Sequence, residues 1–184
     1  MAEEKMRRLQ TIDRAYNSIY LQPARKKALL NQTQQEGNVI FGGRSIQKQI
    51  GIFSRGTEDY DIFSKKPKLS AKKTEKAFDC IHGGDVFYTK PAMHPGTHKV
   101  MHKGFDGKKG TEDDYGVVDY SGFPIPKPQT VTVAGVKYRK LSQELKAKNK
   151  ALRDPAFKFR HPKDAEDKFR INLARGKIWK GGII

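Results

Sequence analysis

Apolar residues recur every three or four positions at the start of the chain, at Met6, Leu9, Ile12, Tyr16, Ile19 and Tyr20. That spacing draws one stripe along a helix. Pro23 breaks the pattern and can open a second helix, where its missing N–H costs little. This helix runs through Leu29 and Leu30 into the polar stretch NQTQQEGN, with Gly37 near its end. The pair is read as a packing hairpin that covers a sheet, with Arg25, Lys26 and Lys27 as a basic face open to nucleic acid. A short apolar strand follows from Val39, then the turn Gly42-Gly43. Ile46 and Ile50 lie four apart on a short helix that Gly51 ends. A polar loop from Ser54 to Glu58 leads to a second strand, which carries Asp59, Tyr60, Asp61, Ile62 and Phe63. Beyond the basic turn SKKPK, Ser70 is the expected cap of a helix over 71–81, with Ala77, Phe78 and Ile81 buried.

After Gly83-Gly84 the period shortens to that of strands. Candidates are DVFYT (85–89), THKVMHK (97–103) and VVDYS (117–121), the last two separated by a long Gly/Lys-rich turn. Val131 to Tyr138 reads as two short strands about Gly135. Ser142 is the expected cap of a helix carrying Glu144, Lys146 and Lys150, which Asp154-Pro155 interrupts. A last helix begins near Pro162 with HPKDAEDKF. The expected class is α+β: a mixed sheet with helices packed on it. The domain reading is an N-terminal helical extension (1–37), a core (38–140) and a C-terminal helical part with a basic tail (141–184), together one compact unit.

Charge narrows the class of partner. Lys plus Arg number 37 against 20 acids, a formal net charge of +17. That excess calls for an anionic partner, above all nucleic acid. No apolar run approaches the ~20 residues that span a bilayer. The opening MAEEKMRRLQ lacks the apolar core of a signal peptide. Cys80 is the only cysteine, so no intrachain disulfide forms and a reducing, cytoplasmic setting is expected. Cys80 itself reads as a buried small residue. His94, His98 and His102 are spaced by four, but Pro95 and Gly96 argue against a helix. They read as scattered surface histidines, with a zinc site as the alternative.

The chemistry concentrates between Val39 and Ser64. Asp59 and Asp61 alternate on a strand, so they face one side. Two such carboxylates repel unless a cation sits between them, and Mg²⁺ prefers carboxylate oxygens together with phosphate. Gly42 and Gly43 let the backbone approach a ligand closely. The helix that opens at Arg44 and Ser45 is an anion site.

Gly-Gly-x-Ser, a spacer and Asp-x-Asp between apolar residues resemble the active-site pattern of the DNA-polymerase-β-like nucleotidyltransferases. The string RGTEDYDIF is similar to the abortive-infection toxin branch, whose members work without a template. The resemblance spans roughly residues 38–170. It implies a nucleotidyltransferase fold and a two-metal mechanism with Mg²⁺ (or Mn²⁺) and an NTP as substrate. Asp59 and Asp61 would bridge the metals. The third acid belongs on a later strand and is assigned to Asp119, with Asp113 and Asp114 as competitors in the preceding turn. Gly42, Gly43 and Ser45 would seat phosphates, with Lys146 or Arg44 neutralising charge. The PKDAED helix resembles the family's late Pro-Lys-Asp-x-x-Asp helix, so Lys163, Asp164 and Asp167 are read as supporting groups or structural ion pairs.

The implied activity is transfer of an NMP to an RNA hydroxyl, with tRNA among the candidate acceptors and RNA favoured over DNA. The alternative is a non-catalytic, basic nucleic-acid-binding protein on the same fold, as in a virion or nucleoprotein. A third reading is a toxin acting on a protein or small nucleotide, with an acidic antitoxin as partner. A small, very basic transferase also fits a viral origin and a host cytoplasm.

Overall fold

The computed structural model describes residues 22–57 and 59–176. The first helix of the expected hairpin and the end of the expected basic tail lie outside them. The fold is α+β, and the described residues form a mixed seven-stranded sheet and five α-helices. The helices are α1 (Pro23–Gln35), α2 (Gly42–Ile50), α3 (Pro67–His82), α4 (Leu141–Arg153) and α5 (His161–Ala174). The strands are β1 (Val39–Phe41), β2 (Tyr60–Ser64), β3 (Phe87–Pro91), β4 (His98–His102), β5 (Tyr115–Gly122), β6 (Thr130–Val133) and β7 (Val136–Arg139). They lie in the order β3-β4-β5-β2-β1-β7-β6. The β1/β7 and β2/β5 pairs are parallel and the others antiparallel.

The alternation along the strands decides what each face of the sheet does. Ile40, Ile62, Val118, Tyr120 and Val100 point to one face and are fully buried. They pack with Leu29 of α1 and with Ala71 and Phe78 of α3 in the main core. Full burial of side chains this size contributes ~1.5–3 kcal/mol each. Polar contacts fix the two covering helices. Thr74 and Tyr120 share a hydroxyl hydrogen bond of 2.7 Å, and Gln32 Nε2 donates to the Ser70 carbonyl at 3.0 Å. The opposite face carries Phe41, Asp61, Asp119 and Lys99. There α2, α4 and α5 pack together through a second apolar cluster, formed by Ile46, Ile50 and Ile171 with Leu141 and Leu145.

Several sequence expectations change. Helix α3 starts at Pro67, whose missing N–H suits a first turn. Ser70 therefore lies inside the helix, buried, with its hydroxyl on that of Ser64 at 2.8 Å. The buried stripe of α3 is Ser70, Ala71, Thr74 and Phe78. Ile81 falls off that stripe and is 41% exposed, and Cys80 is exposed rather than buried. Ser142 does not cap α4, which begins at Leu141 without a side-chain cap. Strand β3 begins two residues later than expected because Asp79 Oδ1 accepts the Val86 and Phe87 N–H groups at 2.9 and 2.8 Å, tying that stretch to α3. Among the described residues no helix is long and apolar enough to cross a membrane.

Candidate active site

A row of side chains crosses the open face of the sheet. Phe41, Asp61 and Asp119 are successive register partners on β1, β2 and β5, and Lys99 of β4 partners Asp119. Partners on neighbouring strands present their side chains on the same face, so the topology sets Asp61 beside Asp119. Asp59 lies just before β2, two residues from Asp61 and on the same side. Its Oδ1 accepts a hydrogen bond from Thr57 Oγ1 at 3.2 Å.

These acids open onto a cleft of about 790 Å³ between the sheet and the α4–α5 pair. Gly42 opens α2 at its edge with φ +67°, and a Cβ there would come within 2.4 Å of Asp61 Oδ2. A Cβ on Gly43 would meet Thr57 Oγ1 at 2.8 Å. Both glycines thus allow the close approach of backbone to side chain that the site requires.

The acids crowd one another. Burial, then the charges of Asp59, Asp119 and Glu144, push the Asp61 carboxyl up to about 7, and Lys148 opposes them. Burial also raises Asp119, against the pull of Lys99, whose ammonium lies 3.0 Å from Asp119 Oδ2. Glu144 is fully buried and likewise raised by desolvation, opposed by Arg139 and by the Gly42 N–H. Its carboxylate accepts from Gly42 N at 2.9 Å and from Arg139 Nε at 2.9 Å. The Arg139 guanidinium lies over Phe41, itself stacked on Phe63 with centroids 3.8 Å apart.

Behind the cleft runs a buried ionic chain. Lys148 Nζ lies 2.7 Å from Asp164 Oδ1 and 2.8 Å from Asp167 Oδ2. Asp167 also holds Arg55 through Nε at 2.7 Å and Nη2 at 3.3 Å. This chain ties α4 and α5 to the loop that carries Thr57.

The sequence-derived site residues divide clearly. Gly42, Gly43, Asp59, Asp61 and Asp119 come together in the cleft, with Lys163 and Asp164 on its far wall. Asp167 sits behind it. Arg44 does not line the cleft; its guanidinium lies 4.7 Å from the Tyr60 ring and Nε donates to the Asp59 carbonyl at 3.2 Å. Ser45 is buried and donates to the Arg139 carbonyl at 2.7 Å. Lys146 is exposed and does not line the cleft. Lys148, one helical turn after Glu144, is the inward lysine. Asp113 and Asp114 bind backbone N–H groups of their own loop and do not line the cleft. His94 is in a loop, and His102 is buried against Tyr115 and Phe87.

Sequence reasoning missed Glu144, Arg139, Lys148, Arg55, Thr57 and Lys99. The i, i+4 spacing of Glu144 and Lys148 and the nearness of Arg55 and Thr57 to Asp59 carried local signals; Lys99 and Arg139 come from distant segments.

The donor chemistry suits a divalent metal. Asp59, Asp61 and Asp119 offer only hard oxygens, and the mutual repulsion that raises Asp61 is what a cation between them relieves. Among the described residues no three or more His, Cys, Asp or Glu side chains already form a metal-binding group.

No protein-family model and no curated protein matches the chain. Its fold does match solved structures. The Megavirus polyadenylate synthase superposes with a TM-score of 0.68 at 14% identity, over 95% of this chain. This chain spans 36% of that protein's length. JHP933 from Helicobacter pylori matches at a TM-score of 0.43 and 11% identity, over 85% of this chain and 91% of that one. The architecture shared with the polyadenylate synthase is the nucleotidyltransferase fold.

Proposed function

We propose that the protein is a template-independent nucleotidyltransferase that moves an NMP from an NTP to a hydroxyl of RNA, tRNA being one candidate acceptor. The observation that carries this reading is the pairing of Asp61 with Asp119 across adjacent parallel strands, beside Asp59 and open to the cleft. A purely RNA-binding cleft gains nothing from burying and crowding carboxylates, which together push Asp61 up to about 7.

In the reaction the acceptor oxygen bonds to the α-phosphorus, the bond to the leaving pyrophosphate breaks, and the hydroxyl proton departs. Asp59, Asp61 and Asp119 would hold Mg²⁺ or Mn²⁺, which supplies charge stabilisation at phosphate oxygens. Asp119 would help hold the metal that lowers the pKa of the acceptor hydroxyl, so that its proton leaves to water. Gly42 and Gly43 keep the α2 start clear of side chains. Lys148 and Arg139 line the cleft with their charges already paired, Lys148 to Asp164 and Asp167 and Arg139 to Glu144. Lys163 offers a further cation on the far wall. Asp164 and Asp167 hold Lys148, and Asp167 holds Arg55, so the loop bearing Thr57 keeps Asp59 oriented. The formal charge of +17 supports a polyanionic acceptor, RNA rather than a small molecule. It equally favours the second reading, a non-catalytic RNA binder on this fold. A cytoplasmic setting, in a host if the origin is viral, belongs to the same proposal, as does an acidic antitoxin under the toxin reading.

The test is a transfer assay. The protein is incubated with each α-labelled NTP, Mg²⁺ or Mn²⁺ and total RNA, beside an Asp59→Asn/Asp61→Asn variant. Label on RNA from the unaltered protein alone is the expected result. Label on protein instead would support the protein-modifying toxin. No label, with equal salt-sensitive RNA binding by both proteins, would establish the non-catalytic binder.

A further inference from the structure

The cleft has two unlike walls. One is the acidic sheet face. The other is the turn between α4 and α5, a 3₁₀ segment over Pro155–Arg160. Phe159 on this turn is 84% exposed. Of the large hydrophobic side chains that stand exposed among the described residues, it alone lines the cleft. Phe157, two residues earlier and half-buried, lines it as well. An aromatic ring left in water forgoes the burial that usually repays it. Here it stands among cations. Lys150 and Lys163 line the same wall, and neither makes an ion pair with a described residue. Arg160 joins them, steadied by Asp164 at 3.2 Å.

The turn is pinned. Asp154 Oδ1 accepts the Ala156 N–H at 3.0 Å, and the His161 ring Nε2 donates to the Ala151 carbonyl at 3.0 Å. The end of α4 and the start of α5 are thereby held together across the turn, so the rings are carried on a defined support. An apolar partner would not tolerate the flanking lysines, and a bare phosphate would make no use of the rings. A strand with unpaired bases and a phosphate backbone uses both, by stacking on the rings and pairing with the cations.

We infer that the Pro155–Arg160 turn is a platform for single-stranded nucleic acid, with Phe159 stacking on an unpaired base of the acceptor and Lys150 and Lys163 meeting its phosphates. This deepens the transferase reading and rests on it for the identity of the ligand as acceptor. Phe159 stands at the outer rim, where a strand leaving the acidic centre would pass.

The test measures binding without turnover. The full chain carrying Asp59→Asn/Asp61→Asn is titrated into a fluorescent single-stranded RNA of about 12 nucleotides, read by anisotropy. Phe159→Ala is expected to weaken binding about tenfold, and Phe159→Trp to restore it. Lys150→Gln/Lys163→Gln is expected to reduce the slope of log affinity against log salt by about 0.7 for each phosphate that is no longer neutralised. Affinity for a fluorescent NTP is expected to be the same in Phe159→Ala as in its parent. Unchanged RNA affinity in Phe159→Ala overturns the proposal. So does an equal loss of duplex RNA binding, which offers no unpaired base. A loss confined to NTP also overturns it, by giving the ring to the nucleotide instead. Phe159 is exposed, so its removal leaves the fold intact. If the transfer assay is silent while Phe159→Ala still weakens RNA binding, the transferase reading fails and the platform stands.

Discussion

Replacing Asp61 with Asn should stabilise the metal-free protein at alkaline pH while abolishing transfer. The carboxyl sits among Asp59, Asp119 and Glu144, and burial with these charges lifts it from 3.8 to about 7. A shift of about three units corresponds to about 4 kcal/mol at 1.36 kcal/mol per unit. The residue keeps part of its surface open to the cleft, where water screens the repulsion, so about 2–4 kcal/mol is the expected range. The sign follows from proton counting. Well below pH 3.8 the group is protonated in both states and contributes no difference. Between pH 4 and 7 the unfolded chain releases the proton while the folded chain keeps it, so stability falls as pH rises. Above 7 the penalty is complete. Asn has no proton to lose and escapes it. Urea unfolding of both proteins in metal-free buffer, at pH 4 and pH 8, measures the difference, with a common slope on urea as the check that the transition is the same. The variant should be clearly more stable at pH 8 and nearly equal at pH 4. Added Mg²⁺ should raise the unaltered protein and leave the variant behind, since a ligand stabilises only what binds it. A variant less stable at pH 8, or one with the same advantage at both pH values, refutes the reasoning.

Two further substitutions test the frame around the acids. Lys148→Met leaves Asp164 and Asp167 buried without their shared partner. It should cost about 3 kcal/mol, a fall in Tm of about 6–12 °C for a chain this long, read by circular dichroism. Restoring stability with Asp164→Asn/Asp167→Asn in the same chain would tie the loss to the unpaired charges. Gly42→Ala must adopt φ +67° and place a Cβ 2.4 Å from Asp61 Oδ2. Strain of about 1–2 kcal/mol and loss of transfer are expected, with a melting curve and the labelled-NTP assay as readouts, whereas Gly37→Ala, at a left-handed glycine with open space around it, should show the strain alone.

The sheet was legible where one face had to be apolar. In β2 the alternation of Tyr60, Ile62 and Ser64 with Asp61 and Phe63 leaves little choice of register, and β5 repeats it with Val118 and Tyr120 against Asp119. Helix α3 was legible as a helix but not in its rotation. Ala77, Phe78 and Ile81 form a plausible stripe on paper, yet Ala71, Thr74 and Phe78 form the one that meets the sheet. Propensity and spacing cannot choose between two stripes that share a phenylalanine, because the choice depends on α1, which Gln32 locks to Thr74 and Ser70. Lys146 failed for the same reason. Three lysines lie at 146, 148 and 150, and only the direction in which Glu144 is buried says which faces in.

The counter-charges explain why the acids were easier to find than the rest of the site. Asp61 and Asp119 lie on strands whose alternation exposes them to inspection and Asp59 lies just before the first of these, whereas Arg55, Lys99, Arg139 and Lys148 arrive from four separate elements and join only through the topology. The start of α2 shows the consequence. Read from the sequence, Gly42 and its helix form an open anion site. In the fold the Gly42 N–H is already donated to Glu144, a buried carboxylate held by Arg139. The anion that the helix start attracts is thus partly supplied by the protein itself, and Glu144 adds to the repulsion on Asp61. A triphosphate reaching this point meets an N–H in use and an arginine partly neutralised. Under the proposed transferase reading, the attraction that draws it in would come from the metals that the three aspartates would hold and from the cations on the opposite wall.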